Sequence, residues 1–357
     1  MNRNQIIHSI STKTNLNMRT RITLAALVLL AVGCSENENA GTSEIPVNAK
    51  AIRIGQSVQG LTRAVVTDGT NVTATVLMCD VEGDAADWTG FTAVKSNDIG
   101  ADGALKGRAN TATASFKAGA DKAVSLNPTL YYDNSINKKK SFLAAVAPTG
   151  TPAVPGTVVT MNNVDGEQDV MYATAVAAGK EDDEHKDPIN LSFEHLTTQL
   201  NFKIQMTKVD GGDWGNKTVA VKEIKVQSAQ LPQAVNAANG DVTWSTASPL
   251  NVPNIKNFTL STTATQIGNP IMVKGESSVK LDVTLTVDGA DLLFSNVPIK
   301  DATTSGSDLA TVTGQSHLVT LKVTEPKTAA GDGVAIINVT ATVAPWTVGH
   351  AGTGELN

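Results

Sequence analysis

The sequence is short of aromatic side chains, of charge and of cysteine. Aromatics make up 4 % and charged residues 17 % of its 357 residues, and the formal net charge is −6. Nothing in that balance provides the basic surface that nucleic acid requires, so no nucleic-acid partner is expected. Only two cysteines occur, Cys34 and Cys79, too few for a disulfide framework, so stability has to come from packed apolar surface. The five histidines, His8, His185, His195, His317 and His350, do not pair at metal-ligand spacing. No H-E-x-x-H, C-x-x-C, G-x-S-x-G or phosphate-loop signature is present. The acidic run Glu181, Asp182, Asp183, Glu184 and Asp187 lacks the alternate spacing and central glycine of a calcium loop, and reads as a solvated linker. No catalytic residue, metal ligand or cofactor site is therefore assigned.

What the chain does contain is Thr, Val, Ala, Asn and Gly, in alternating runs punctuated by turn residues, and this predicts an all-β protein. Its length suffices for two domains, each with its own core. "NVTATVLMCDV" sets Val72, Ala74, Val76 and Met78 against Thr73, Thr75, Leu77 and Cys79, a strand buried on both faces, with the Cys79 thiol inside. "SFLAAVA" reads as another buried strand. "GKEDDEHKDP", dense in charge and closed by Pro188, marks the domain junction. Beyond it Leu200, Phe202, Ile204 and Met206 alternate with Asn201, Lys203 and Gln205, and Val279, Leu281, Val283, Leu285 and Val287 alternate with polar residues. Asn239-Gly240 and Asp288-Gly289 suit tight hairpins, whose two central residues take positive φ. Only "FEHLTTQL" is expected to form a turn or so of helix, and His195 within it is expected to be packed, not catalytic.

The N-terminal region carries an address. Arg19 and Arg21 precede an apolar run from Ile22 to Val32 that is too short to span a bilayer and has the proportions of a signal-peptide core. Residues 1–17 are unlike a signal n-region, so Met18 is the expected start. The run ends in "LAVGC", which resembles the lipobox of bacterial lipoprotein signal peptides, with Ala31 where Leu is usual. By that resemblance residues 1–33 are removed and Cys34 receives lipid. The polar, acidic "SENENAGTSE" after it reads as a tether and is similar to surface-export signals of Bacteroidota lipoproteins.

"LNPTLYYDN", "SFLAAVAPTG", "DGEQDVMYATA", "INLSFEHLTTQLNFKI", "TGQSHLVTLKV" and "INVTATVAPW" follow one another as landmarks do in Bacteroidales fimbrillins, the subunits of type V pili and the related Mfa-like lipoproteins, which this sequence resembles after Cys34. The resemblance implies two transthyretin-like antiparallel β-sandwiches in tandem, at 64–187 and 188–357, preceded by a lipidated leader and removable strand at 34–63. It further implies cleavage by an arginine-specific protease. Arg63 followed by Ala64 in "LTRAVV" matches that position in type, so Ala51 to Thr62 would be the strand removed. Donor strands in such a system alternate, and Ile337, Val339, Ala341 and Val343 do, with Trp346 as an end anchor. The same segment reads equally as an ordinary strand of its own sheet. Implied partners are other fimbrial subunits, the outer membrane through the lipid, and a ligand on a host or bacterial surface.

Three readings stand at this point. They are a fimbrial subunit, an anchored surface lipoprotein that binds a glycan or host protein without polymerising, and an extracellular glycan hydrolase, whose carboxylate pair would meet only in space.

Overall fold

Alternating apolar and polar residues fold here into sheets that share faces. The computed structural model describes residues 51–58, 66, 69–93, 109–119, 124–132, 140–153, 155–162, 165–178, 189–276, 278–302, 307–327 and 336–345. Among them every regular element is a strand. The first nine are β1 (Ile54–Val58), β2 (Asn71–Val81), β3 (Thr111–Lys117), β4 (Ser125–Asn127), β5 (Lys140–Ala147), β6 (Thr151–Pro152), β7 (Val158–Thr160), β8 (Met171–Ala178) and β9 (Ile189–His195). Next come β10 (Thr198–Thr207), β11 (Val219–Ala229), β12 (Pro232–Asn236), β13 (Val242–Trp244), β14 (Ser248–Asn251) and β15 (Phe258–Thr259). The last are β16 (Thr265–Val273), β17 (Lys280–Val287), β18 (Ala290–Pro298), β19 (Lys300–Asp301), β20 (Gln315–Thr324) and β21 (Ile336–Pro345).

A seven-stranded sheet runs β1-β9-β8-β5-β2-β3-β4, antiparallel throughout except for the parallel pair β1 and β9. One face gathers Val72, Ala74, Val76 and Met78 with Leu143, Leu191 and Phe193 in a first core. Its other face puts Leu77, Cys79, Phe142 and Val146 against Val159, Val235 and Ala237. Val159 and Val235 come from a four-stranded sheet, β13-β12-β7-β6, in which β7 pairs with β12 across more than seventy intervening positions, and Ala237 follows β12 directly. β5 is buried on both sides because it lies between these two cores, as its continuous apolar run requires.

The remaining strands form a sandwich. One sheet, β16-β10-β20-β21-β19, faces another, β14-β11-β17-β18, with β15 also paired to β11. Leu200, Phe202, Ile204, Val319, Leu321 and Val323 from the first meet Val221, Ile224, Leu281, Val283 and Leu285 from the second. Between Leu200 and Phe202 the ladder to β16 slips by a bulge. Gly268 makes it possible, with φ at +66° and no room for a side chain: a Cβ there would lie 2.6 Å from a Val252 methyl and 2.8 Å from the Pro253 carbonyl.

Three expectations change. "FEHLTTQL" is extended, since Phe193 and His195 alternate on β9 and β-branched Thr197 and Thr198 lead into β10. The first core does not stop at Asp187: β9 pairs with β1 and β8, carrying Leu191 and Phe193 into the seven-stranded sheet, and β12 returns to pair with β7. Asp288 and Gly289 make the tight hairpin foreseen, with φ at 47° and 84°, whereas at the β12–β13 loop only Gly240 has positive φ, because Asn236 closes a longer loop by accepting from Gly240 N–H.

Two buried polar residues of the sandwich yield measurements. Glu325 accepts from the N–H groups of Trp214, Gly215 and Val209 at 2.8, 3.0 and 3.2 Å. Burial pushes its carboxyl up, but these donors and the Lys208 charge outweigh that and hold it below the usual carboxylate range. Glu325→Ala leaves the donors unmatched and is expected to cost about 2 kcal/mol in urea unfolding. His317 lies in register with Leu200 on β10 and Val343 on β21 and is fully buried. Burial pushes its imidazole pKa down, with Asp301 opposing weakly. The unfolded chain therefore takes up this proton first, near pH ~6.5, so stability is fully present above that pH and is lost as pH falls toward the folded value. The melting temperature should drop between pH 7 and 5, and less steeply in His317→Leu.

Candidate functional site: the seam of the first sheet

The ends of the seven-stranded sheet come back together, and β1 lies where they meet. On one side it pairs in parallel with β9, Ile54 opposite Ile189 through Val58 opposite Phe193. On the other it meets the stretch around β4 through isolated antiparallel bridges, Ile54 with Val124 and Ala51 with Tyr131. Ile52 N–H donates to Leu130 O at 2.8 Å, Val124 N–H to Ile54 O at 3.1 Å, and Ile189 N–H to Arg53 O at 3.1 Å. A parallel neighbour close in sequence is impossible, since such pairs need a long crossover, and here more than a hundred residues separate β1 from β9. β1 is thus a short N-terminal segment closing a sheet built almost wholly from later chain.

Side chains explain why it stays there. Ile52, Ile54 and Val58 are buried in the first core, where Phe193, beside Val58, stacks on Phe116 with ring centres 5.3 Å apart. Burial of these three chains is worth about 6 kcal/mol before ordering entropy is subtracted. Gln56, in the same row, is buried and donates from Nε2 to Lys117 O at 2.9 Å. On the outward side the Ser57 and Ser192 hydroxyls lie 3.0 Å apart. Val66 also lies in the first core, and Gly69 N–H donates to Ala118 O just past β3.

The residues singled out in the sequence fall as follows. Cys34, Arg63, Ala64 and Trp346 lie outside the described residues. Of the segment Ala51 to Thr62, the part up to Val58 carries β1. Ile337, Val339, Ala341 and Val343 lie on β21, in register with Val323, Leu321, Val319 and His317 of β20. β21 ladders with β20 along its whole length and meets β19 at Thr340 and Ala341, so in this chain it is a member of its own sheet. Cys79 is buried, and burial pushes its thiol up to about 11. His195 is buried too, with Nδ1 2.9 Å from a carboxylate oxygen of buried Asp169, at the step from β9 into β10. Among the described residues no three His, Cys, Asp or Glu side chains are placed to hold a metal ion. Composition and spacing gave no sign of the β1–β9 pairing. The alternation of Ile52, Ile54 and Val58, interrupted by Gln56, was the signal available.

A family model described as fimbrillin-like matches residues 62–346. None of the curated proteins matches. Among solved structures, a candidate cell adhesion protein of Bacteroides uniformis is 16 % identical, covering 83 % of this chain and 98 % of its own, with a TM-score of 0.46. A fimbrial protein of Bacteroides vulgatus is 14 % identical, covering 83 % and 99 %, with a TM-score of 0.43. A fimbrilin of Porphyromonas gingivalis is 9 % identical, covering 84 % and 98 %, with a TM-score of 0.41.

The weight that the seam puts on β1 can be measured. Ile54→Asp sets a carboxylate into the first core and is expected to strip β1 from β9, giving fast hydrogen exchange across Ile54–Val58 and Ile189–His195 while β10 and β20 stay protected.

Proposed function

The chain belongs to the fimbrillin-like family, and from that premise we propose that it is a structural and adhesive subunit of a cell-surface fimbria, assembled by strand exchange that proteolysis triggers. It reaches the surface as an outer-membrane lipoprotein precursor, carried by lipid on Cys34. An arginine-specific protease then cuts between Arg63 and Ala64, and the leader with β1 is released.

One observation carries this reading: the segment that such a cut would detach is the one closing the seam of the first sheet. While covalently attached, β1 covers the apolar row of the first core and satisfies the backbone groups of β9. Once detached it leaves an apolar groove flanked by unpaired N–H and C=O groups, a strong template for an extended segment of another copy. Insertion of this kind is head-to-tail and does not close, so it builds a filament. The alternating segment Ile337, Val339, Ala341 and Val343 is the proposed donor, anchored by Trp346. To serve, β21 has to leave the ladder it makes with β20.

That ladder also favours a second reading. A chain whose last described strand is fully paired at home suits an anchored, non-polymerising surface lipoprotein that binds a glycan or protein.

One experiment separates the two. Treating the precursor with an arginine-specific protease should give a new N-terminus at Ala64 and a ladder of multimers on an unboiled gel, and Arg63→Ala should abolish both. A monomer that persists after the cut at Ala64 would establish the anchored reading instead.

A further inference from the structure

Arginine is scarce in this chain. After Cys34 only Arg53, Arg63 and Arg108 occur, so an arginine-specific protease acting on the exported protein has few bonds to choose from. Arg63 precedes the cut proposed above. Arg53 directly precedes β1, the strand that this cut would detach.

The seam holds the Arg53–Ile54 bond closed. The Arg53 carbonyl oxygen, which a protease has to draw into its oxyanion hole, accepts from Ile189 N–H at 3.1 Å. One residue earlier Ile52 N–H donates to Leu130 O at 2.8 Å, and one residue later Ile54 O accepts from Val124 N–H at 3.1 Å. The flanking side chains are withheld as well, since Ile52 and Ile54 are buried in the first core at 4 % and 2 % exposure. Of the three residues only Arg53 has an exposed side chain. A protease takes its substrate as an extended segment through the same backbone groups that this ladder uses, so β1 has to leave the seam before the bond can be cut.

Release of the leader reverses these conditions. A short peptide separated from β9 and from the first core has nothing to shield the bond. We propose that Arg53–Ile54 is a second, latent processing site, masked in the precursor by the seam and hydrolysed in the leader once β1 has left. Its biological meaning rests on the strand-exchange reading, whereas the masking is a property of the intact chain. Water adds across the peptide bond, Arg53 keeps the carboxylate and Ile54 gains an ammonium. Two consequences follow for return to the groove. Ile52 is parted from Ile54 and Val58, so their burial no longer adds within one strand. The new ammonium, charged at neutral pH, would have to re-enter next to a side chain enclosed in the first core, at a cost in desolvation. The protease thus destroys the strand that it frees, and exchange runs one way.

The test follows both bonds by mass spectrometry during treatment with an arginine-specific protease, with masses that distinguish these cuts from any at Arg108. In full-length Arg63→Ala, Arg53–Ile54 should be cut roughly a hundredfold more slowly than in a synthetic peptide of residues 51–63. Equal rates, or a peptide that is not cut, would overturn the proposal. Adding Val58→Asp to Arg63→Ala opens the seam away from the bond and should raise the rate at least roughly tenfold while β10 and β20 stay protected from hydrogen exchange. Val58→Ala is the milder form of this change and should raise the rate less. No rise in either variant overturns the masking. In the wild-type chain the N-terminus at Ile54 should appear only on peptides already free, after the one at Ala64. An Ile54 N-terminus on a chain still uncut at Arg63 counts against the proposal. With the protease then inactivated, added 51–63 peptide should delay multimer formation, and the 54–63 product should do so roughly tenfold more weakly, whereas equal potency overturns the one-way role. If Arg63 is cut and no multimers form, strand exchange falls while the masking of Arg53, read from the cutting rates, stands.

Discussion

The parallel pairing of β1 with β9 is the constraint on which the rest of the architecture depends. This seven-stranded sheet, apolar on both faces, curls as strand twist accumulates until its ends meet. The piece at the meeting point comes from the beginning of the described chain, and its neighbour β9 from far downstream. Everything in between, including β2, β5 and β8, is joined by antiparallel pairs. The seam is therefore the least local part of the first core.

Among the described residues, neighbouring cores share strands. β5 stands between two cores, the smaller of which is roofed by strands drawn from both halves of the sequence. The step from β9 to β10 takes only Leu196 and Thr197, and the Asp169–His195 pair is buried beside it. A buried hydrogen-bonded pair of this kind is costly to separate, because either partner alone would leave a polar group unmatched in the interior. The two larger cores are thus held in a fixed sequence of contacts, first sheet, shared roof, sandwich, by backbone pairing as well as by side chains.

Much of this was legible in the residues and some was not. The alternations at Leu200–Met206 and Val279–Leu285 translate directly into inward-facing rows, because period-two patterning leaves a half-buried strand only one orientation. The continuous apolar run of β5 and the doubly buried β2 were equally readable, and so was the Asp288-Gly289 hairpin. Long-range pairing was not. Nothing local in Val158–Thr160 announces Pro232–Asn236 as its partner, and the charged stretch before Ile189 looked like a boundary although the first core continues past it through Leu191 and Phe193. Of the seam, the sequence showed an arginine after an alternating segment. It could not show that Ile54 and Gln56 would be enclosed, since enclosure depends on β9, β3 and the stretch near Val124 arriving from elsewhere.

The near-unbroken run from β9 into β10 has a mechanical side. Load applied to whatever occupies the seam passes along β9, and two residues later it reaches β10, which is paired on both sides, with β16 and with β20. A tug along that line slides strands lengthwise past their neighbours, so many backbone bonds must yield at once, where peeling from an edge would break them singly. A chain wired in this way resists pulling end to end far better than prising sideways.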